Sequence, residues 1–188
     1  MSELDKDISF ILEVEKMKSI YRKSTNLSNN RRENDAEHTY YVAITAMILN
    51  NYAENNIDIN KVIKMLLVHD LVEIDAGDTF AYDKEGYKTK YEREQKAAQR
   101  IFGMLSDDKI NLYKNLYYEF ENCTTEESKF ANLIDRISPI LLNYFNKGGT
   151  WKEYNINKEM VLNRIKGLQN SSHEIYSYIS DLLDDYFD

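Results

Sequence analysis

The chain has one cysteine, one proline and one tryptophan among 188 residues, and each shortage excludes something. Cys123 alone cannot close an internal disulfide, so the fold is not a cross-linked framework. That usage fits a reducing compartment, and a cytoplasmic location is expected. Pro139 is the sole proline and glycine occurs six times. Helix breakers this scarce favour an all-α fold. No apolar run approaches the ~20 residues of a membrane span. The acidic start, Met1-Ser2-Glu3-Leu4-Asp5-Lys6-Asp7, lacks the basic-then-apolar pattern of a secretion signal. Net charge is −8 without any dense Lys/Arg block. A nucleic-acid polymer calls for a basic face, so it is not an expected partner. A small phosphorylated ligand stays compatible, because a metal ion and one or two basic residues neutralise a single phosphate.

What is present is material for a core: 43% hydrophobic residues and 15 tyrosines. The length suits one domain, residues 1–188, with no repeat or Gly/Ser linker to divide it. Helical periodicity dominates, and a single-domain helical bundle is expected. An amphipathic helix is expected over about 5–22, then a polar loop from Ser24 to Arg32. Asn34-Asp35-Ala36-Glu37 has capping-box spacing and opens a helix from Asp35 to about Asn55. A central helix runs from about Ile59 to Ala76, with Gly77 as its terminating glycine. Further helices are expected at Thr89–Phe102, at Asp107–Glu121, and from the Thr124-Thr125-Glu126-Glu127 box to Phe145. Two more follow, at Lys158–Gln169 and Ser172–Tyr186. No segment alternates as a strand would. Tyr40-Tyr41 and Tyr117-Tyr118 are read as core and rim.

Against this background the central helix is anomalous. Val62 to Ile74 is apolar on nearly every side, the mark of a buried helix, yet it carries His69, Asp70 and Glu73. Burying such groups costs several kcal/mol unless they are paired or bind a cation. The other chemistry-bearing residues are His38, just after a helix cap, Asp78, just past the central helix, and Asp135, in the apolar run Phe130–Ile137. Each has an ordinary alternative: His38 as a partly buried histidine near a cap, Asp135 as an ion-pair partner of Arg136, Glu37 as a cap, His173 as a surface residue. Two imidazoles and two carboxylates also suit a mixed N/O site for a divalent first-row metal.

Taken in order, Ala36-Glu37-His38, Leu67-Val68-His69-Asp70-Leu71-Val72-Glu73, Asp78-Thr79 and Ile134-Asp135-Arg136 resemble the HD-domain metal-dependent phosphohydrolases, and within them the 5′-deoxynucleotidase-like branch. The resemblance spans roughly residues 16–145, the expected metal-site core, with the C-terminal helices at about 158–187 beyond it. It implies an all-α bundle, a homodimer, and one divalent ion held by His38, His69, Asp70 and Asp135. Mn²⁺, Co²⁺ or another first-row ion would suit it, with Mg²⁺ or Zn²⁺ as alternatives. It also implies Glu73 and Asp78 as the catalytic acids, and a small nucleotide as substrate. Two-metal members carry extra histidines between His-Asp and the last Asp, whereas this chain has none between His69 and His173. Guanosine-tetraphosphate hydrolases end their His-Asp-x-x-Glu-Asp motif where this chain has Ile74.

The deoxynucleotidases carry an Arg-Trp pair ahead of the first metal histidine. Here Arg22-Lys23-Ser24 stands there, and the only tryptophan, Trp151, lies far along the chain. Arg22 or Lys23 is expected to meet the phosphate, with Arg31 and Arg32 as further candidates, and the sugar preference stays open. The competing readings are a non-catalytic metal-containing sensor of a nucleotide or partner, and a phosphohydrolase of another small metabolite.

Overall fold

Helix starts are where sequence and structure agree most closely. The computed structural model describes residues 2–188. Ser2 and Asp5 cap α1 (Glu3–Val14) reciprocally. Asn34 and Glu37 do the same for α2 (Asp35–Leu49), as the spacing predicts. Asp58 caps α3 (Ile59–Val68), and α4 (Glu73–Ala76) ends at Gly77, whose φ of 72° suits a residue without a side chain. Asp83 caps α5 (Lys84–Phe102), and α6 (Asp107–Asn122) follows. The start of α7 (Glu126–Phe145) is shifted by one residue from expectation: its box pairs Thr125 with Ser128 rather than Thr124 with Glu127. Three helices complete the chain: α8 (Gly149–Glu153), α9 (Lys158–Ile165) and α10 (His173–Phe187).

Some helix bounds differ from expectation: α5 starts at Lys84 rather than Thr89, α2 ends at Leu49 rather than about Asn55, and α9 ends at Ile165 rather than Gln169. Three larger expectations need correction. The first helix stops at Val14, tightens into a 3₁₀ turn over Glu15–Ser19, and does not reach residue 22. The stretch from the expected end of that helix through the segment read as loop, where no strand is expected, holds an antiparallel hairpin of β1 (Tyr21–Thr25) and β2 (Arg32–Asn34). Its ends are tied by the Asp35 amide on Ile20 O (3.0 Å) and the Asn26 amide on Arg31 O (2.9 Å). Packing of β1 on α7 and α8 extends this stretch, which has no alternating pattern of its own. Third, the central helix is not continuous, and its break builds the site described below. Among the tyrosines, Tyr117 is buried, but Tyr40 is 69% exposed and Tyr41 37%, so that pair is not core.

The core forms around α7, which packs on α2, α3, α6, α9 and α10. Phe130, Leu133, Ile134 and Ile137 from α7 meet Val62, Met65 and Leu66 from α3, all buried. Pro139 lies inside α7. Having no N–H, it leaves the carbonyl four residues earlier, that of Asp135, without its helical partner. Among the described residues no helix is long and apolar enough to cross a membrane.

Candidate functional site

His69 is the C-cap of α3, its amide still bonded to Met65 O at 2.9 Å. Beyond it the bonding changes from i−4 to i−3: Leu71 to Val68 O (3.2 Å), Glu73 to Asp70 O (2.9 Å) and Ile74 to Leu71 O (3.3 Å). At three residues per turn, positions i and i+3 eclipse. Asp70 and Glu73 are such a pair, so both carboxylates project to one side, where Asp35 from the first turn of α2 meets them. Asp35 is fully buried. Sequence reading missed it, because an acid in the first turn of a helix already has a local explanation in the helix dipole.

Two imidazoles close the other side. His38 on α2 and His69 are 1% and 4% exposed, with ring centroids 5.7 Å apart. The His69 Nδ1 lies 2.8 Å from the carbonyl of Leu66. A carbonyl only accepts, so Nδ1 carries the proton and Nε2 is the lone-pair atom of the neutral ring. That Nε2 lies 3.1 Å from Asp70 Oδ2 and 3.6 Å from Asp135 Oδ1. His38 Nε2 lies 3.0 Å from Asp135 Oδ1 and 3.7 Å from Asp70 Oδ2. The expected ion pair of Asp135 with Arg136 does not form. Arg136 instead bonds Asn132 and the Arg164 carbonyl, which leaves Asp135 to the histidines.

Arg22, carried in by β1, faces the carboxylates. Its Nη1 is 2.7 Å from Asp70 Oδ2, 3.3 Å from Asp35 Oδ1 and 3.6 Å from Glu73 Oε2. Lys23 and Asp78 line the same pocket. Arg31 and Arg32 do not reach it: Arg31 pairs with Glu37 and Arg32 with Glu153, which answers for both charges locally. Glu37 acts as the cap it was expected to be, and His173 is exposed. Glu33 on β2, not anticipated, is 3% exposed and lies 3.5 Å from His38 Nδ1. Trp151, absent from the expected position beside Arg22, lines this pocket from α8.

The cluster divides its protons unevenly. Burial raises the Glu73 carboxyl well above the ordinary range, and the Asp70 charge adds to it. Burial and Asp70 together push Asp35 up to about 6, and burial also raises Asp78. For Asp70 burial acts the same way, but His69 and Arg22 outweigh it and hold the carboxylate below its usual value. Hydrogen bonds from His38 and His69 do the same for Asp135 against its burial. Burial disfavours charge on His69, yet Asp70 and Asp135 lift it to about 10. Acids pushed apart in this way are the usual basis of a division between proton donor and acceptor.

The donor set suits a divalent cation. His69 Nε2 and Glu73 Oε2 are buried without a hydrogen-bond partner. The nitrogen and oxygen atoms of His38, His69 and Asp135 lie close enough together to share an ion, as do those of Asp35, Asp70 and Glu73. Ligand atoms about 2.1 Å from a common ion sit roughly 3.0–3.5 Å apart, close to the separations found here.

Comparison with known proteins places this geometry in context. Residues 14–176 match a family model described as HD domain. The 5′-deoxynucleotidase HDDC2 of Dictyostelium discoideum is 32% identical over 139 residues, covering 71% of this chain and 69% of that protein. Its mouse counterpart is 29% identical over 109 residues, covering 58% of this chain. The chain spans about half the length of that relative, 53%. A crystal structure described as a predicted metal-dependent phosphohydrolase from Magnetospirillum magnetotacticum superposes with a TM-score of 0.93. It is 39% identical, over 98% of this chain and 93% of that one. The PH0347 protein of Pyrococcus horikoshii shares the fold, with a TM-score of 0.73 and 23% identity over 93% of this chain and 99% of that one.

Proposed function

The chain belongs to the HD-domain family, and from that premise we propose that it is a metal-dependent phosphohydrolase releasing phosphate from a small nucleotide, most simply a ribo- or deoxyribonucleoside 5′-monophosphate. The observation that carries this reading is the convergence of donor atoms from buried His38, His69 and Asp70 and half-buried Asp135, beside Arg22 and two acids with raised pKa.

In this reading His38, His69, Asp70 and Asp135 hold one divalent ion. When bound, the ion supplies a Lewis acid for a phosphoryl oxygen and for water. Four protein ligands leave further positions on a six-coordinate ion such as Mn²⁺ or Co²⁺, and Mg²⁺ or Zn²⁺ are alternatives. Glu33 Oε2 lies 3.5 Å from the otherwise unpartnered His38 Nδ1, placed to orient the ring as carboxylates do for ligating histidines. Glu73 and Asp78 divide acid and base work: one takes the proton of the attacking water, the other returns a proton to the departing 5′-oxygen. Arg22 and Lys23 neutralise the phosphate. The homodimer implied by the family resemblance would bury the exposed apolar stripe of α2, Tyr40, Ile44, Met47 and Ile48.

The test is phosphate release from a panel of ribo- and deoxyribonucleoside 5′-monophosphates, in EDTA and then with Mn²⁺, Co²⁺, Mg²⁺ or Zn²⁺. Release only with metal is expected. Glu73→Gln is expected to lower kcat by about 10²–10⁴-fold while the protein keeps its metal. Nucleotide binding without release under any metal would overturn the enzyme reading in favour of a sensor.

A further inference from the structure

Two arginines on the outer wall of the pocket have no carboxylate partner; Arg93, the other arginine of which this is true, has its donors taken up by Ala76 O, Thr79 Oγ1, Gly86 O and Thr89 Oγ1. Arg22, Arg31, Arg32 and Arg100 each bond a carboxylate. Arg136 on α7 and Arg164 on α9 line the pocket, both half-buried, and their hydrogen bonds go to neutral groups. Arg136 donates to the Arg164 carbonyl and to Asn132 Oδ1, each at 2.9 Å. Arg164 donates to the Tyr87 hydroxyl at 3.2 Å. Lys90, on the same wall, is already matched by Glu94 at 3.3 Å.

A guanidinium has five N–H donors, and only two on Arg136 and one on Arg164 are bonded within the protein. Two cations held near one another in a half-enclosed space, with neither in an ion pair, are unfavourable unless an anion joins them. The net charge of −8 makes the omission more pointed, since carboxylates are plentiful. Arginine forks fit the oxygens of phosphate and carboxylate, and the Tyr87 hydroxyl adds a third polar group.

We propose that Arg136, Arg164 and Tyr87 form a second anion subsite, so that the preferred ligand carries an anionic oxygen group, phosphate or carboxylate, besides the phosphate at the acidic cluster. This rests on the phosphohydrolase reading for what happens at the first phosphate, but not for the binding itself. It narrows the substrate class to phosphomonoesters with a second negative group, of which a nucleoside bisphosphate is one.

Arg164→Gln is the discriminating variant, because it keeps the main-chain carbonyl that Arg136 bonds. Three probes are titrated calorimetrically onto the Mn²⁺-loaded full chain: deoxyadenosine 5′-monophosphate, deoxyguanosine 5′-monophosphate and deoxyadenosine 3′,5′-bisphosphate. KM and kcat are measured in parallel, together with those for 4-nitrophenyl phosphate. The bisphosphate is expected to bind about tenfold tighter than the adenosine monophosphate, roughly the strength of one charge-assisted contact. Arg164→Gln removes that advantage through KM with kcat unchanged, leaves 4-nitrophenyl phosphate unaffected, and Arg164→Lys restores part of it. A citrate-like polycarboxylate competing only with the bisphosphate would show that the subsite accepts carboxylate as well as phosphate. Equal binding of mono- and bisphosphate, or an advantage that survives Arg164→Gln, overturns the proposal. So does an Arg164-dependent preference for guanine alone, which would mean that the arginines read a base edge. If nothing is hydrolysed yet the bisphosphate advantage appears in calorimetry and vanishes in Arg164→Gln, the subsite stands and the phosphohydrolase reading falls.

Discussion

The α3–α4 junction and α10 bury their side chains to the same degree and use burial in opposite ways. At the junction His69, Asp70 and Glu73 are 4%, 8% and 6% exposed; on α10 Ile175, Ile179 and Leu183 are 7%, 1% and 0% exposed. The α10 residues follow each other at four-residue intervals along a regular helix, with a serine cap at its start and acids on the outer face. The junction has no such regularity: its hydrogen bonds change from i−4 to i−3, and two of its buried polar atoms have no partner. Local rules hold where stability alone is at stake, and give way where reactive groups must be gathered.

Breaking the junction is expected to have the largest effect. Asp70→Ala removes the carboxylate shared by Arg22 and both histidines. Loss of bound metal, loss of turnover and a destabilisation of about 3–5 kcal/mol are expected together, because the partners are left buried and uncompensated. Urea unfolding and metal content by mass spectrometry check this; a variant that still carries metal would contradict it. The counterpart on α10, Ile179→Ala, is expected to cost about 2–4 kcal/mol by opening a cavity. Its metal content and KM are expected to match the wild type, so the same measurements separate the two kinds of burial.

The smallest expected effect sharpens the comparison by pH. His69 has its pKa lifted to about 10 by Asp70 and Asp135 against its burial, so without metal it is an imidazolium at neutral pH. The folded pKa lies above the unfolded value of about 6.5, so its contribution to stability is complete below that value and is lost as pH rises through about 10. A metal needs the neutral ring. Loading is therefore expected to release about one proton per ion from this residue, and affinity to climb as pH rises toward about 10. Calorimetry in buffers of different ionisation enthalpy counts the protons. No counterpart is expected for Ile179→Ala, whose titration should follow the wild type.

Much of this was readable beforehand, for reasons that differ by residue. The capping box at Asn34 is local chemistry, and Ser172 likewise caps α10, whereas the equally local box at Ser2 was not anticipated. His69, Asp70 and Glu73 stood out because polar groups in an apolar run need an explanation, whereas His38 and Asp135 had ordinary local explanations and were singled out by the family resemblance; the fold places the Nε2 atoms of both histidines 3.0–3.7 Å from the Asp70 and Asp135 carboxylates. The helix break at His69 was hidden by the same apolar run, since a stretch that is hydrophobic on every side has no period to interrupt. The hairpin was hidden because Tyr21-Arg22-Lys23-Ser24-Thr25 is extended by contacts made elsewhere in the chain. Arg164 and Trp151 reach the pocket from helices distant in sequence, and nothing near either residue signals it.

Trp151 is the chain's one indole. It is 2% exposed and packs at a tilt against Tyr186 and Phe187, with ring centroids 5.1 and 5.2 Å away, and it forms part of the pocket wall. Excited at the red edge of its absorption, where the fifteen tyrosines are dark, it is a single built-in fluorophore. Its emission colour and quenching therefore give the pocket an optical voice of its own, so that ligand entry can be followed in real time on the unlabelled protein.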